Sequence, residues 1–214
     1  MKNTIKILGI ALISLNFLFT SCKKEDPKEP EATKGTEMTV SLSTKNNKTP
    51  NVWVYYSFDS KSEVSSVTEA NYLTSDAWDI AFHSRHIRLN GGTSGKGVAE
   101  AYDAGKVAFS SVKTANESGY TKDKFVKDAI YAGNGAQGPI YEDSNLNSVF
   151  EEAFTFDANT HPPTYEASMN VYVFKTRTGK YGKIMLQDYY NATGKTGYIT
   201  FKYLINMDGE TSLE

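Results

Sequence analysis

The chain has 214 residues, with 23 Lys and Arg against 25 Asp and Glu, a formal net charge of −2. That length suits one domain with its own core, and the lack of a basic field argues against a nucleic-acid partner. The single cysteine excludes an internal disulfide, so the fold must rest on its apolar core.

The first 22 residues have three parts. Lys2 and Lys6 make a positive start, Ile7 to Phe19 is apolar apart from Ser14 and Asn16, and Leu18-Phe19-Thr20-Ser21 leads into Cys22. This is the layout of a secretory signal peptide. Its apolar stretch is shorter than the roughly 18–20 residues that span a bilayer. Cys22 stands where a bacterial lipobox puts the lipid acceptor, with Phe19 where Leu is usual. Residues 1–21 are therefore expected to be removed and Cys22 lipidated, which places the working protein outside the cytoplasm on a membrane. Residues 22–37 carry charges and two prolines, and Lys23 to Thr36 contains no large apolar residue. Such a segment cannot bury enough surface to offset chain entropy, and it reads as a flexible tether. The folded domain is expected over residues 38–214.

With 14 Tyr and 11 Phe beside abundant Thr, Val and Gly, the domain points to strands. Met38 to Thr44 alternates apolar and polar, the period of a half-buried strand. Asn51 to Phe58 is β-branched and aromatic. Trp78–Phe82 and Arg85–Leu89 read as one bent strand ending at Asn90-Gly91-Gly92, a turn signal. Residues 98–132 read as short strands with Gly-rich loops, with a helical turn over Lys122–Ala129. Glu142–Phe154 is the best longer helix candidate, weakened by Asn145, Asn147 and Ser148. Ala167–Lys175, Tyr181–Tyr189 and Gly197–Asn206 are strands joined by the turns Thr178-Gly179-Lys180 and Ala192-Thr193-Gly194-Lys195. Three strands with short turns make an antiparallel meander. The expected fold is all-β: a single antiparallel β domain with a C-terminal β-meander.

Asn90 to Gly97 (NGGTSGKG) lacks the spacing of a phosphate loop, because Lys96 is followed by Gly97 and neither Gly91 nor Gly92 stands at the required distance from Gly95. It also fails the nucleophile-elbow pattern, and reads as a flexible turn. His83 and His86 are three apart, which on one strand puts them on opposite faces. That spacing argues against zinc. Glu151-Glu152 and the other carboxylates form no evident acid/base couple.

Two stretches carry a resemblance. One is Trp78-Asp79-Ile80-Ala81-Phe82-His83, followed by Ile87-Arg88-Leu89-Asn90-Gly91-Gly92-Thr93-Ser94-Gly95-Lys96-Gly97. The other runs from Pro163-Thr164-Tyr165 through Val171–Phe174 and Tyr181–Tyr189, with its Asp188-Tyr189 pair, to Gly197–Tyr203. Together they resemble the HmuY family of lipid-anchored haem-binding proteins of Gram-negative bacteria. The resemblance covers most of Trp53 to Asn206.

It implies a β domain shaped like a right hand, with haem gripped between β-fingers. It also implies no enzymatic activity and a lipid-anchored place on the outer membrane, at the cell surface. The role implied is capture of haem for a TonB-dependent outer-membrane transporter. Two histidines, or in relatives methionines, serve as axial ligands. The first family histidine falls near Gly135–Tyr141, where Gln137 is the nearest counterpart. The second falls at Ala158, with His161 standing closer to Pro163-Thr164-Tyr165. His161 is thus the candidate axial ligand to haem iron. Met169 and Met185 read as core, His83 matches a structural family histidine, and His86 falls outside the pattern. Tyr131 and Tyr141 are candidates to pack on a porphyrin face. The alternative is a paralogue with this fold that lacks the family's haem ligation and binds another ligand or a surface partner.

Overall fold

A computed structural model of the chain describes residues 35–45 and 52–214. Cys22, the signal segment and most of the tether lie outside them. Among the described residues thirteen strands follow in order: β1 Met38–Ser43, β2 Val54–Ser57, β3 Ser62–Glu63, β4 Ile80–His83, β5 His86–Leu89, β6 Glu100–Asp103, β7 Lys124–Gly135, β8 Gly138–Leu146, β9 Phe154–Asp157, β10 Thr164–Ala167, β11 Val171–Lys175, β12 Tyr181–Tyr190 and β13 Thr196–Ile205. Helix among them is limited to two 3-10 turns, Phe109–Ser111 and Ser148–Phe150.

The strands form a five-stranded sheet (β1-β13-β12-β11-β6), a four-stranded sheet (β3-β2-β4-β5) and two separate hairpins, β7–β8 and β9–β10. All the named pairings are antiparallel. The all-β expectation holds, and β11, β12 and β13 form the expected meander.

The period of two sorts side chains between layers. Val54, Tyr56, Ile80 and Phe82 of the smaller sheet share the main core with Tyr172, Phe174, Ile184, Leu186, Phe201 and Tyr203 of the larger one. Rings bridge the two sheets: Phe82 to Phe201 at 5.2 Å, Tyr56 to Phe201 at 5.6 Å and, from the end of β2, Phe58 to Phe174 at 4.9 Å. The alternate residues Val171, Val173, Met185 and Leu204 pack in a second cluster with Phe109 and Leu213. Tyr55 and Ala81 join Val67, Tyr72 and Trp78 in a third. Both faces of β11 are therefore covered, which is why its apolar run is nearly continuous.

Three readings change. The expected bent strand over 78–89 is a hairpin, because Ser84 takes a left-handed conformation (φ 54°) and turns the chain back within two residues. Lys122–Ala129 is not a helical turn. It enters β7, which pairs in register with β8 from Lys124 to Val126 before the register slips between Val126 and Ile130. Asp128 sits in that slip with φ 50°, its backbone N–H donating to Asp143 Oδ1 at 3.0 Å, as in a β-bulge. Glu142–Phe154 is β8 followed by the short Ser148–Phe150 turn, which the Asn147 side chain caps by accepting from Val149 N–H.

Candidate functional site

The β7–β8 hairpin is long, exposed and more apolar on its surface than a hairpin needs to be. Phe125, Val126, Tyr131, Ile140 and Tyr141 are all exposed, as is Phe156 on β9. Exposed apolar side chains gathered this closely mark a binding surface rather than a solvated one.

A cleft of about 440 Å³ lies among these elements. One wall is the cross-strand pair Tyr131 and Tyr141, with ring centroids 5.9 Å apart and planes at 69°. The opposing wall is a second cross-strand pair, Phe156 of β9 and Tyr165 of β10, at 5.0 Å. The floor is the β4–β5 turn, His83-Ser84-Arg85-His86. A neighbouring cleft of about 490 Å³ shares His83 and Ile130 but is rimmed by Glu63, Glu69, Glu142 and Asp143. Behind it the buried Arg88 guanidinium lies 3.4 Å from the Trp53 ring centroid and 4.0 Å from that of Tyr72, and pairs with Glu69 at 2.5 Å. The aromatic faces offset part of the cost of burying that charge.

The floor is held from below. Ser84 Oγ and Tyr189 Oη share a hydrogen bond of 2.7 Å, and the Tyr189 ring stacks against Tyr165 at 4.1 Å. Burial pushes the Tyr189 hydroxyl up to about 12. Tyr189, of the Asp188-Tyr189 pair singled out in the sequence, therefore joins β12 to both the floor and one wall. His83 and His86 are directly opposed across the hairpin, so their side chains share a face. His86 Nδ1 lies 3.2 Å and 3.3 Å from the two Glu151 oxygens. No group of three or more His, Cys, Asp or Glu suited to a bare metal ion occurs among the described residues.

The base of the β7–β8 hairpin is anchored by the Gly-rich loop. Asn90 and Ser94 are fully buried, so Asn90–Gly97 is a packed knot and not the flexible turn expected. Asn90 Nδ2 donates to the carbonyls of Ser75 (3.1 Å) and Trp78 (2.8 Å), and its Oδ1 accepts from Gly97 N–H (3.1 Å). Gly92 has φ 58°, and a Cβ there would come within 2.3 Å of the Asp123 carbonyl; one on Gly95 would meet Asn90 Oδ1 at 2.1 Å. The spacing of these glycines follows from that close approach.

Asp123, just before β7, accepts from Leu89 N–H (2.8 Å), Ser94 Oγ (2.6 Å) and Asn147 Nδ2 (2.9 Å). Burial raises its carboxyl from 3.8 to about 7, against the pull of those hydrogen bonds and of Arg88. The folded chain thus holds this proton more tightly than the unfolded chain. The stabilisation is complete below the unfolded value and is lost as pH rises through about 7. Urea denaturation should show stability falling between pH ~4 and ~7, with a flatter slope in Asp123→Asn; an unchanged slope in the variant contradicts this.

His161 is exposed in the turn between β9 and β10, beyond the residues that line either cleft. It belongs to the hairpin that supplies Phe156 and Tyr165. Gln137 is exposed at the tip of β7–β8. Met185 is buried as expected, but Met169 lies outside any strand, partly exposed with φ 60°. Tyr131 and Tyr141 do share one cleft wall. Sequence reasoning gave no site role to Phe156, Tyr165 or Asp123 and did not pair His86 with Glu151. The two-residue spacing between the runs IAFH and HIRL was the available signal for a hairpin that brings His83 and His86 together.

A family model described as HmuY protein matches residues 49–203. Solved structures share the fold. One titled a putative HmuY-like heme binding protein, from Bacteroides vulgatus, is 24% identical with a TM-score of 0.63, over 80% of this chain and 92% of that one. A putative lipoprotein from Bacteroides fragilis is 22% identical, TM-score 0.61, over 78% and 88%. The apo HmuY analogue of Tannerella forsythia is 18% identical, TM-score 0.64, over 82% and 98%. No curated protein sequence matches the chain. With the family model spanning the Trp78-Asp79 opening, the Gly-rich knot, both hairpins and most of the meander, the chain belongs to the HmuY family.

Proposed function

We propose that this protein is a lipid-anchored haem-binding protein that captures haem and passes it to a TonB-dependent outer-membrane transporter. The observation that carries this reading is the aromatic cleft between the two hairpins. Haem is flat and apolar on both faces and carries two carboxylates at one edge. Tyr131 and Tyr141 face Phe156 and Tyr165 across a space of about 440 Å³ that opens to solvent, within the range of small-molecule sites. Arg85 on the floor offers a cation suited to a propionate, and imidazoles stand at the same floor. The residues present therefore fit the group. Binding, not chemistry, is the role these side chains support.

His161, in the exposed turn of the β9–β10 hairpin, is proposed as a residue that would ligate haem iron. Lipidation of Cys22 holds the domain at the outer membrane on the cell surface, with the tether giving it reach. Cys22→Ser is expected to lose fatty-acid labelling and move to the soluble fraction; full retention in the membrane fraction contradicts the anchor.

Tyr131→Ala and Tyr141→Ala should each weaken haemin binding by about tenfold, roughly 1.4 kcal/mol. Because both rings are about half exposed, their melting curves should stay within about 0.5 kcal/mol of the parent. Unchanged haemin affinity in both variants contradicts the placement of the ligand.

A second reading is favoured by the position of His161 beyond the cleft lining and by Gln137 standing where the family has a histidine. In it the cleft holds a different apolar ligand or a segment of a surface partner. Native mass spectrometry of protein purified from its own cells separates the two: a haem mass increment supports capture of haem, and another increment supports the second reading.

A further inference from the structure

The haem reading gives Arg85 of the cleft floor a task but assigns none to the buried His86 beside it. We infer that His86 is an axial ligand to haem iron through Nε2, and that Glu151 is the positioning residue that makes it one. The inference rests on the haem reading above and deepens it.

The argument begins with the hairpin. The turn at Ser84 and Arg85 pairs His83 with His86 and puts both on the face that floors the cleft. His86 is nine-tenths buried, so its ring has little freedom. Both of its hydrogen bonds, to Glu151 Oε1 and Oε2, run through Nδ1. A carboxylate accepts and does not donate, so it selects the tautomer with the proton on Nδ1. The lone pair is then on Nε2, and His86 borders the cleft. A histidine whose far nitrogen donates to a carboxylate while the near one carries the lone pair is the usual arrangement of a metal-ligating imidazole.

Glu151 is itself positioned. It follows the Ser148–Phe150 turn, whose start is capped by Asn147, and its own N–H donates to the Ser148 carbonyl. Asn147 Nδ2 is in turn bound to Asp123 Oδ1 at 2.9 Å. The packed knot that anchors β7–β8 thus also places the partner of His86. A porphyrin supplies four nitrogens of its own, so one imidazole on the floor suffices, and a cluster of three protein ligands is not needed. Coordination forms one bond from Nε2 to iron and displaces no proton from the ring.

A simple staple between β5 and the 148–151 turn is the competing role, and substitution distinguishes the two. His86→Gln keeps a donor for Glu151 and most of the packing, while removing the imidazole. His86→Gly opens a space that free imidazole can fill. In haemin titrations of the purified protein, the ligand role predicts a changed Soret position and at least tenfold weaker binding in both variants. Added imidazole should restore the parent spectrum in His86→Gly. Glu151→Gln should keep the imidazole bound but move the iron potential to more positive values, because the carboxylate no longer strengthens the ligand. If the parent binds haemin and His86→Gln matches it in spectrum and affinity, the assignment is overturned while the haem reading stands. If the parent binds no haemin, the haem reading itself fails. Melting curves for each variant establish that the fold is retained.

Discussion

Asp79→Ala is expected to destabilise the domain by about 3–5 kcal/mol, read from urea or thermal unfolding. Asp79 is almost wholly buried, and three donors converge on its carboxylate: Phe58 N–H at 2.9 Å, Arg177 N–H at 3.1 Å and Arg177 Nη1 at 2.6 Å. Removing it strands two backbone N–H groups and the mostly buried Arg177 guanidinium. Each orphaned donor alone costs about 1–3 kcal/mol. Asp59 still reaches Arg177 Nη2 at 2.6 Å and compensates part of the charge, so the effect should fall at the lower end of the range. The carboxylate ties the start of β4 to the β11–β12 turn, from opposite sheets, so the loss should appear as a drop in global stability. A loss below about 1 kcal/mol contradicts this role, since surface changes of that size are ordinary.

Trp78→Ala should cost a similar amount, about 3–5 kcal/mol, by a different route. Trp78 is fully buried on the outer side of the smaller sheet. Its ring meets Tyr55 edge-on at 5.1 Å and Tyr72 at 6.3 Å, and Nε1 donates to the Tyr72 carbonyl at 3.1 Å. Truncation leaves a large cavity and an unpaired carbonyl. The effect also travels: Tyr72 Oη accepts from Asn145 Nδ2 of β8 at 2.9 Å, so loosening Tyr72 loosens the hairpin that walls the cleft. Haemin affinity should therefore fall in Trp78→Ala even at temperatures where the protein remains folded. In Trp78→Phe, which keeps most of the volume, the stability loss should be less than half as large. Because the two residues are adjacent and share the same entry into β4, the double variant should lose less than the sum of the singles.

These neighbours show what the sequence made legible. Trp78-Asp79 stood out as an opening motif, but both residues precede β4, and Trp78 joins Ala81 in the outer cluster instead of the inter-sheet face of Ile80 and Phe82 that period two would give it. The strands β11, β12 and β13 were readable because each turn between them carries Gly at a position where φ is positive: Gly179 at 87° and Gly194 at 75°. The Ser84-Arg85 turn carries no such residue, so β4 and β5 read as one strand and the two histidines were assigned to opposite faces. The Gly-rich loop was visible as a motif but not as a knot, because its partners, Asp123 and Arg177, lie 29 and more residues away in sequence. Local pattern cannot reveal contacts of that range.

The cleft was the least legible part. Tyr131 and Tyr141 were candidates only through a resemblance, in a chain with 14 tyrosines. What distinguishes them is their pairing across a bulged hairpin and their exposure, and both are tertiary facts. Phe156 and Tyr165 face them only because β9 and β10 pair with Phe156 opposite Tyr165. His161 was conspicuous in sequence because it is the one histidine beside Pro163-Thr164-Tyr165. His86 was inconspicuous because its partner Glu151 is 65 residues away.

The central claim is that the cleft between the β7–β8 and β9–β10 hairpins binds haem. Titration of the purified protein with haemin, followed at the Soret band in the ferric and ferrous states, tests it most directly. The account predicts a saturable one-to-one shift of the band that is weakened in Tyr131→Ala and Tyr141→Ala. A spectrum that stays that of free haemin in both redox states, in protein shown to be folded, would contradict it.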